Sequence, residues 1–328
     1  HPGGDRRRRT AGTLTLSLAC TLSDRTRPVL DGRVTIPGLR LIGLPGEPED
    51  IFRRALRDRA FEVTELSMGS HIVTTARGDA PYVGVPVFLS RAFRHSAVYV
   101  RTDRGIREAA DLAGRTIGVP EYQQTAALWV RGMLRERHGV DTRGIAWRTG
   151  GERVAITLPE GLDVRPLGED LDAALAAGRL DALIGPRPPA CFLDGSAPVA
   201  RLWPDFRREE EAYFRATGFF PIMHCLAVRR DLAERHPWLP LALFRAFARA
   251  KALSLAELSM VNVLRVSLPW IAAEAAAQSA IMGGDPWPYG FARNREEIAA
   301  MIRYARHDGL VAEACEPEAL FHPSTLDL

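Results

Sequence analysis

The chain has 328 residues, enough for two domains, and its 46% apolar and 25% charged residues predict a folded globular protein rather than a disordered one. Its 43 basic and 40 acidic side chains leave a net charge of +3, and no long basic run is interleaved with aromatic residues, which argues against nucleic acid as a partner. The four cysteines, Cys20, Cys191, Cys225 and Cys315, stand far apart without metal-ligand spacing, so no zinc or other metal site is expected and a cytoplasmic location fits best. No stretch approaches the roughly 20 apolar residues that a membrane-spanning helix needs.

In chain order, the first feature is a basic cluster, Arg6 to Arg9. RRRRTAGTLTLSLAC imitates an export signal, but its apolar part spans only about ten residues and is broken by threonines and a serine. LTLSLACTL alternates residue types and predicts a first strand. LRLIGLP and FEVTELSM read as further strands, and PEDIFRRALRD as a helix between them. AVYVRTD is a strand, IREAADLAG a short helix stopped by Gly114, and RTIGVP a buried strand. TAALWVRGMLRERHG is a helix ended by Gly139. IAWRTGG opens another strand. LGEDLDAALAAGRLDALIG repeats the pattern of helix, Gly178 and strand, and PRPPACF breaks it. Helices follow from LPLALFRAFARAKALSLAEL to the end.

Alternating helices and strands predict an α/β fold. Residues 101–220 read as an inserted α/β lobe. Residues 1–100 and 221–328 make the other lobe, with crossovers at AVYVRTD and FFPIMHCLAV. A ligand is expected in the cleft between lobes, at strand C-terminal ends and helix N-termini. The apolar helical C-terminal part is compatible with a homodimer.

The candidate site residues come from these strand ends. RAFRHS, Arg91 to Ser96, places three basic side chains between two apolar runs. Arg91 and Arg94 suit bidentate contacts to a carboxylate, and His95 suits proton donation. In an extended segment Arg91 and His95 share one face and Arg94 takes the other. The competing use of an arginine here is an ion pair across the lobe interface. His224, in FFPIMHCLAV, is either a satisfied core histidine or a second acid. Glu65 and Ser67 end a strand. Glu65 can take a proton from a phenol or pair with an arginine, and Ser67 can cap a helix beginning near Gly69 while donating to a ligand.

Glu121, Tyr122, Gln123 and Thr125 occupy a strand–turn–helix start, whose free N–H groups suit a carboxylate. Gln123 and Thr125 are the choices for direct contact, Thr125 serving equally as an N-cap. Arg187, in a proline-fixed loop, is an anion clamp or plain surface charge. Trp270, Trp287 and Tyr289 are expected to pack the helical part, and Glu209 to Glu211 to form a solvated helix face. There is no G-x-G-x-x-G, G-x-S-x-G, P-loop or H-E-x-x-H motif.

The stretches FEVTELSMGS, PVFLSRAFRHSAVYV, DLAGRTIGVPEYQQTAALWVRGML, RPPACF, RLWPDF, TGFFPIMHCLAVRRD and GGDPWPYGFARNREEIAAMIRYARHDGL closely resemble the 4,5-dihydroxyphthalate decarboxylase family. The resemblance implies a two-lobed type II periplasmic-binding-protein-like fold with a cleft between lobes. It also implies a cytosolic enzyme that removes a carboxylate from a hydroxylated aromatic acid without an organic cofactor. Such chemistry must hold a dianion, protonate a ring carbon and stabilise a phenolate-like oxygen. His224 and His95 are then the candidate acids and Glu65 the candidate base. Arg91, Arg94, Ser67, Gln123, Thr125 and Arg187 are the candidate contacts to a small aromatic carboxylate. GGDPWPYG and the alanine-rich IAAEAAAQSAIM, with the single acid Glu274, leave room for a different substrate. The alternative reading is a solute-binding protein that holds an anionic aromatic ligand without catalysis. A ligand-sensing module is weaker, because no helix-turn-helix unit accompanies it.

Overall fold

In the computed structural model, which describes residues 12–328, the alternating LTLSLAC forms strand β1 (Leu14–Cys20). The Arg6–Arg9 cluster lies outside the described residues. After β1 come α1 (Arg27–Leu30), β2 (Leu39–Pro45), α2 (Pro48–Asp58), β3 (Val63–Ser67), α3 (Met68–Arg77) and β4 (Tyr82–Arg91). The middle of the chain holds β5 (Val98–Arg101), β6 (Thr116–Val119), α4 (Thr125–His138), β7 (Ala146–Thr149) and β8 (Val164–Pro166). It continues with α5 (Leu171–Ala177), β9 (Ala182–Ile184), α6 (Ala190–Leu193), β10 (Val199–Arg201) and α7 (Phe206–Thr217). β11 (Ile222–Arg229), α8 (Arg230–Arg235), α9 (Leu239–Glu257), α10 (Ile271–Met282) and α11 (Phe291–His307) complete it.

These strands build two sheets. The first has the order β2-β1-β3-β11-β4, with β1 parallel to β2 and β3, and β11 antiparallel to both of its neighbours. The second has the order β10-β5-β9-β6-β7-β8. The chain leaves the first sheet after Arg91 and returns to it at Ile222. β11 is covered on both faces, which is why it reads as a nearly continuous apolar run. Gly139 and Gly178 end α4 and α5 in the left-handed conformation, as their positions in the sequence predict.

Three local features differ from the sequence reading. The RAFRHS stretch is not one extended segment: β4 stops at Arg91, and His95–Ala97 is a 3-10 turn. β4 itself bulges. Ile222 pairs with Arg91 and His224 with Ser90, but Leu226 pairs with Val85, so β4 carries extra residues around Pro86, which has no N–H for the ladder. The freed carbonyls are occupied: Gly290 N–H donates to Pro86, Trp287 Nε1 to Phe88 and Arg25 Nη2 to Leu89, at 2.8, 2.7 and 2.8 Å. The last helix, α11, also packs against α4. The Tyr304 ring lies where a Cβ on Gly132 would be, Arg303 pairs with Glu136 at 2.8 Å, and Asp308 pairs with the fully buried Arg131 at 2.7 Å.

Candidate active site

Ser67 at the end of β3, His224 in β11 and Ser90 near the end of β4 are paired in register across three strands. Directly paired residues share a face of the sheet. All three line a cavity of about 290 Å³. Its other walls come from the N-terminal turn of α2, the start of α4, and the loops after β7 and β9, so it lies between the two sheets' ends. The turns that begin α2, α3 and α4 converge there through Glu47, Ser67 and Gln124, and helix N-termini favour anions.

His224 is the titratable side chain whose setting is most specific. Its Nδ1 is 3.1 Å from Glu65 Oε1, and the Phe52 ring meets the imidazole edge-on at 4.7 Å. Glu65 is 1% exposed, and its Oε2 accepts from the Thr21 N–H and hydroxyl at 2.7 and 2.6 Å. Burial pushes the Glu65 carboxyl upward, but its bonds to His224 and Thr21 outweigh that and hold it below the usual carboxylate range. An ionised carboxylate therefore fixes the imidazole through Nδ1. Nε2 makes no hydrogen bond among the described residues.

Three arginines line the same cavity. Arg94 comes from the crossover between sheets. Burial lowers its guanidinium to about 10, with Glu210 opposing, so it stays charged at neutral pH. Among the described residues its side chain makes no hydrogen bond, and Nε is sealed from solvent without an acceptor. Arg153 follows β7. It forms an ion pair with Glu121, yet its buried Nε and Nη1 have no aligned acceptor. Its guanidinium stands 5.3 Å from the Phe52 ring centre. Arg187, after β9, is largely exposed and meets Glu49 of α2 at 3.2 Å across the cavity mouth.

Ser67 caps α3, as its position predicts, accepting from Ser70 N–H at 3.5 Å. Thr125 is not an N-cap; Gln124 holds that position. Thr125 Oγ1 instead bonds Ser67 Oγ at 2.8 Å and accepts from Gly69 N–H at 3.0 Å, joining α3 to α4 at the cavity floor. A Cβ on Gly69 would stand 2.5 Å from the Gln123 carbonyl oxygen, so only glycine permits this approach.

Arg91, His95, Gln123 and Glu65 do not line the cavity. Arg91 has the ion-pair role that the sequence left open. Nη1 donates to Glu297 at 2.9 Å and to the Phe220 carbonyl at 2.7 Å, while Nη2 donates to the Pro288 carbonyl and Asn294. It borders a larger hollow of about 520 Å³, but these bonds occupy both terminal nitrogens. His95 packs between Trp203 and Tyr213, at 5.1 and 5.5 Å, and burial pushes it down to about 4, so it is neutral at pH 7. Gln123 is fully buried, accepting from Ser70 Oγ and donating to Glu121. Glu65 sits behind His224 rather than facing a phenol. Glu210 leaves the expected solvated face: burial pushes it up to about 7, with Arg94 opposing. Trp270 is exposed, whereas Trp287 and Tyr289 pack as expected.

Sequence reasoning missed Phe52, Ser90 and Arg153. Arg153 had a usable signal, since it follows a strand and a glycine pair, by the same rule that picked out Arg187. Among the described residues, no group of three or more His, Cys, Asp or Glu is placed to hold a metal ion, and no helix is long and apolar enough to cross a membrane.

The two-sheet α/β architecture defines the class of fold: periplasmic-binding-protein-like. No family model matches the chain. The periplasmic aliphatic sulphonate binding protein SsuA from Escherichia coli has the same fold at a TM-score of 0.53 and 14% identity, over 95% of this chain and 98% of its own. The CA3427 gene product of Candida albicans matches at 0.52 and 11%, over 96% and 98%. Among curated proteins, the 4,5-dihydroxyphthalate decarboxylase of Comamonas testosteroni is 44% identical over 323 residues, 96% of this chain and 98% of that protein. The protein of the same name from Pseudomonas putida is 45% identical over 215 residues, 63% and 83%. The chain belongs to the 4,5-dihydroxyphthalate decarboxylase family.

Proposed function

We propose that the protein removes one carboxylate from 4,5-dihydroxyphthalate, or a close hydroxylated aromatic relative, in the cleft cavity, with His224 as general acid. Family membership makes it a carboxy-lyase. The observation that carries the site is the Glu65-held His224 opening on a cavity lined by under-bonded arginines.

In this substrate each carboxylate has a hydroxyl para to it, which feeds electron density to the carbon that bears the carboxylate. His224, held through Nδ1, delivers a proton from Nε2 to that carbon. The carbon–carboxylate bond then breaks, its electron pair restores the aromatic ring, and CO2 leaves. The net change replaces a carboxylate by a proton, which His224 regains from water. Arg94, Arg153, Ser67, Ser90 and Thr125 hold the anion, and Arg187 with Glu49 narrows the mouth. Cofactors play no part in this scheme. We place the enzyme in the cytoplasm, where its four free cysteines stay reduced.

The test is CO2 release from a panel of hydroxylated phthalates and benzoates. Release from the dihydroxyphthalate is expected, with His224→Asn slower by about 10²–10⁴-fold. Binding across the panel without release would make the protein a solute-binding one. A near-normal rate in the variant would remove His224 from the chemistry.

A further inference from the structure

We infer that Arg153 is the residue that makes this cavity select a ligand with two neighbouring carboxylates over one with a single carboxylate. The inference rests on the proposed use of the cleft as the substrate site. Arg94 and Arg153 reach the cavity from different directions, one from the crossover out of the first sheet and one from the loop after β7. Arg94 Nε and Arg153 Nη1 are buried without an acceptor, while Arg153 Nε lies against Glu121 Oε1. Arg187, the third cation of the lining, is mostly exposed and already faces Glu49.

A buried donor without an acceptor is costly, and a guanidinium binds a carboxylate through a two-pronged contact. A monocarboxylate can satisfy one such fork and leaves the other desolvated. Two adjacent carboxylates satisfy both. Arg153 is suited to the second contact because its Nε meets Glu121 while its buried Nη1 has no acceptor. That acid also accepts from the Gln123 amide at 2.8 Å. Phe52 is a neighbour common to both Arg153 and the proposed acid, its ring centre 5.3 Å from the Arg153 guanidinium carbon and 4.7 Å from the centre of the His224 ring.

The experiment is calorimetric binding of phthalate and benzoate, neither of which carries the hydroxyl needed for turnover. Wild-type protein is expected to prefer phthalate. Arg153→Gln should lose about tenfold to a hundredfold in phthalate affinity and little in benzoate affinity, so the preference collapses. Arg94→Gln should weaken both ligands. Arg153→Lys, which keeps the charge without the fork, should recover part of the preference, and it serves as the readout if the glutamine variant does not fold. An unchanged phthalate-to-benzoate ratio in the Arg153 variants overturns the inference, as does a wild-type protein that binds no phthalate. CO2 release is measured separately on wild type. Absent turnover with the ratio still dependent on Arg153 defeats the proposed reaction and leaves this inference standing.

Discussion

His224 Nδ1 lies 3.1 Å from Glu65 Oε1, and the other oxygen of that carboxylate is held by Thr21. The acid therefore serves as an anchored anion behind the imidazole rather than as a substrate contact. Glu65→Gln preserves shape and removes the charge. It is expected to lower kcat about tenfold to a hundredfold, the worth of a hydrogen bond to a charged group, while phthalate affinity changes little. Steady-state kinetics beside calorimetry checks this. An equal loss in both would put Glu65 on the substrate.

Arg91 is expected to matter for folding and not for chemistry. Its side chain is 1% exposed and that of its partner Glu297 is 6% exposed. Removing one member of such a pair leaves a buried charge, at a cost of about 3–5 kcal/mol. Arg91→Gln should show that loss in denaturant unfolding, while the folded fraction decarboxylates at close to the normal rate. A specific loss of kcat without loss of stability would contradict the structural role.

His95 predicts a pH dependence of stability. Its folded value, about 4, lies below the ordinary 6.5, with burial the main cause and His138 and Arg137 adding to it. The neutral ring contributes stability that is present above pH 6.5 and is lost as the pH falls through 4. The contribution is at most about 3 kcal/mol. His95→Phe keeps the packing on Trp203 and Tyr213 without the titration. Its Tm should fall less between pH 6.5 and 4 than that of wild type, with CO2 release at pH 7 preserved. Some acid sensitivity remains, since His71 is depressed to about 4 by burial in the same way.

Gly69→Ala tests the contact between α3 and α4. Its new Cβ would press on the Gln123 carbonyl oxygen and on Thr125 Oγ1, at 2.5 and 3.2 Å. Overpacking of this kind costs about 1–3 kcal/mol. Stability should drop by that amount, and phthalate affinity should fall with it because Ser67 and Thr125 both line the cavity. Unchanged affinity would separate the contact from the site.

The α/β alternation, the glycine helix ends, the Ser67 cap and the family resemblance were legible in the sequence. Each is written in a few adjacent residues, as side-chain periodicity, a left-handed glycine or a long matching motif. Only the tertiary structure decided what RAFRHS does. Within five residues, Arg91 turns to Glu297, 206 positions away in sequence, Arg94 reaches the cavity, and His95 enters an aromatic pocket. Strand alternation could not assign these directions, because β4 bulges and ends at Arg91 and because burial and partnership depend on α7, α11 and the loop before α11. Arg153 and Phe52 were missed for the same reason. Arg153 does follow a strand and a glycine pair, a signal the sequence carries, but that it and Phe52 meet at one cleft depends on which distant elements the two sheets bring together.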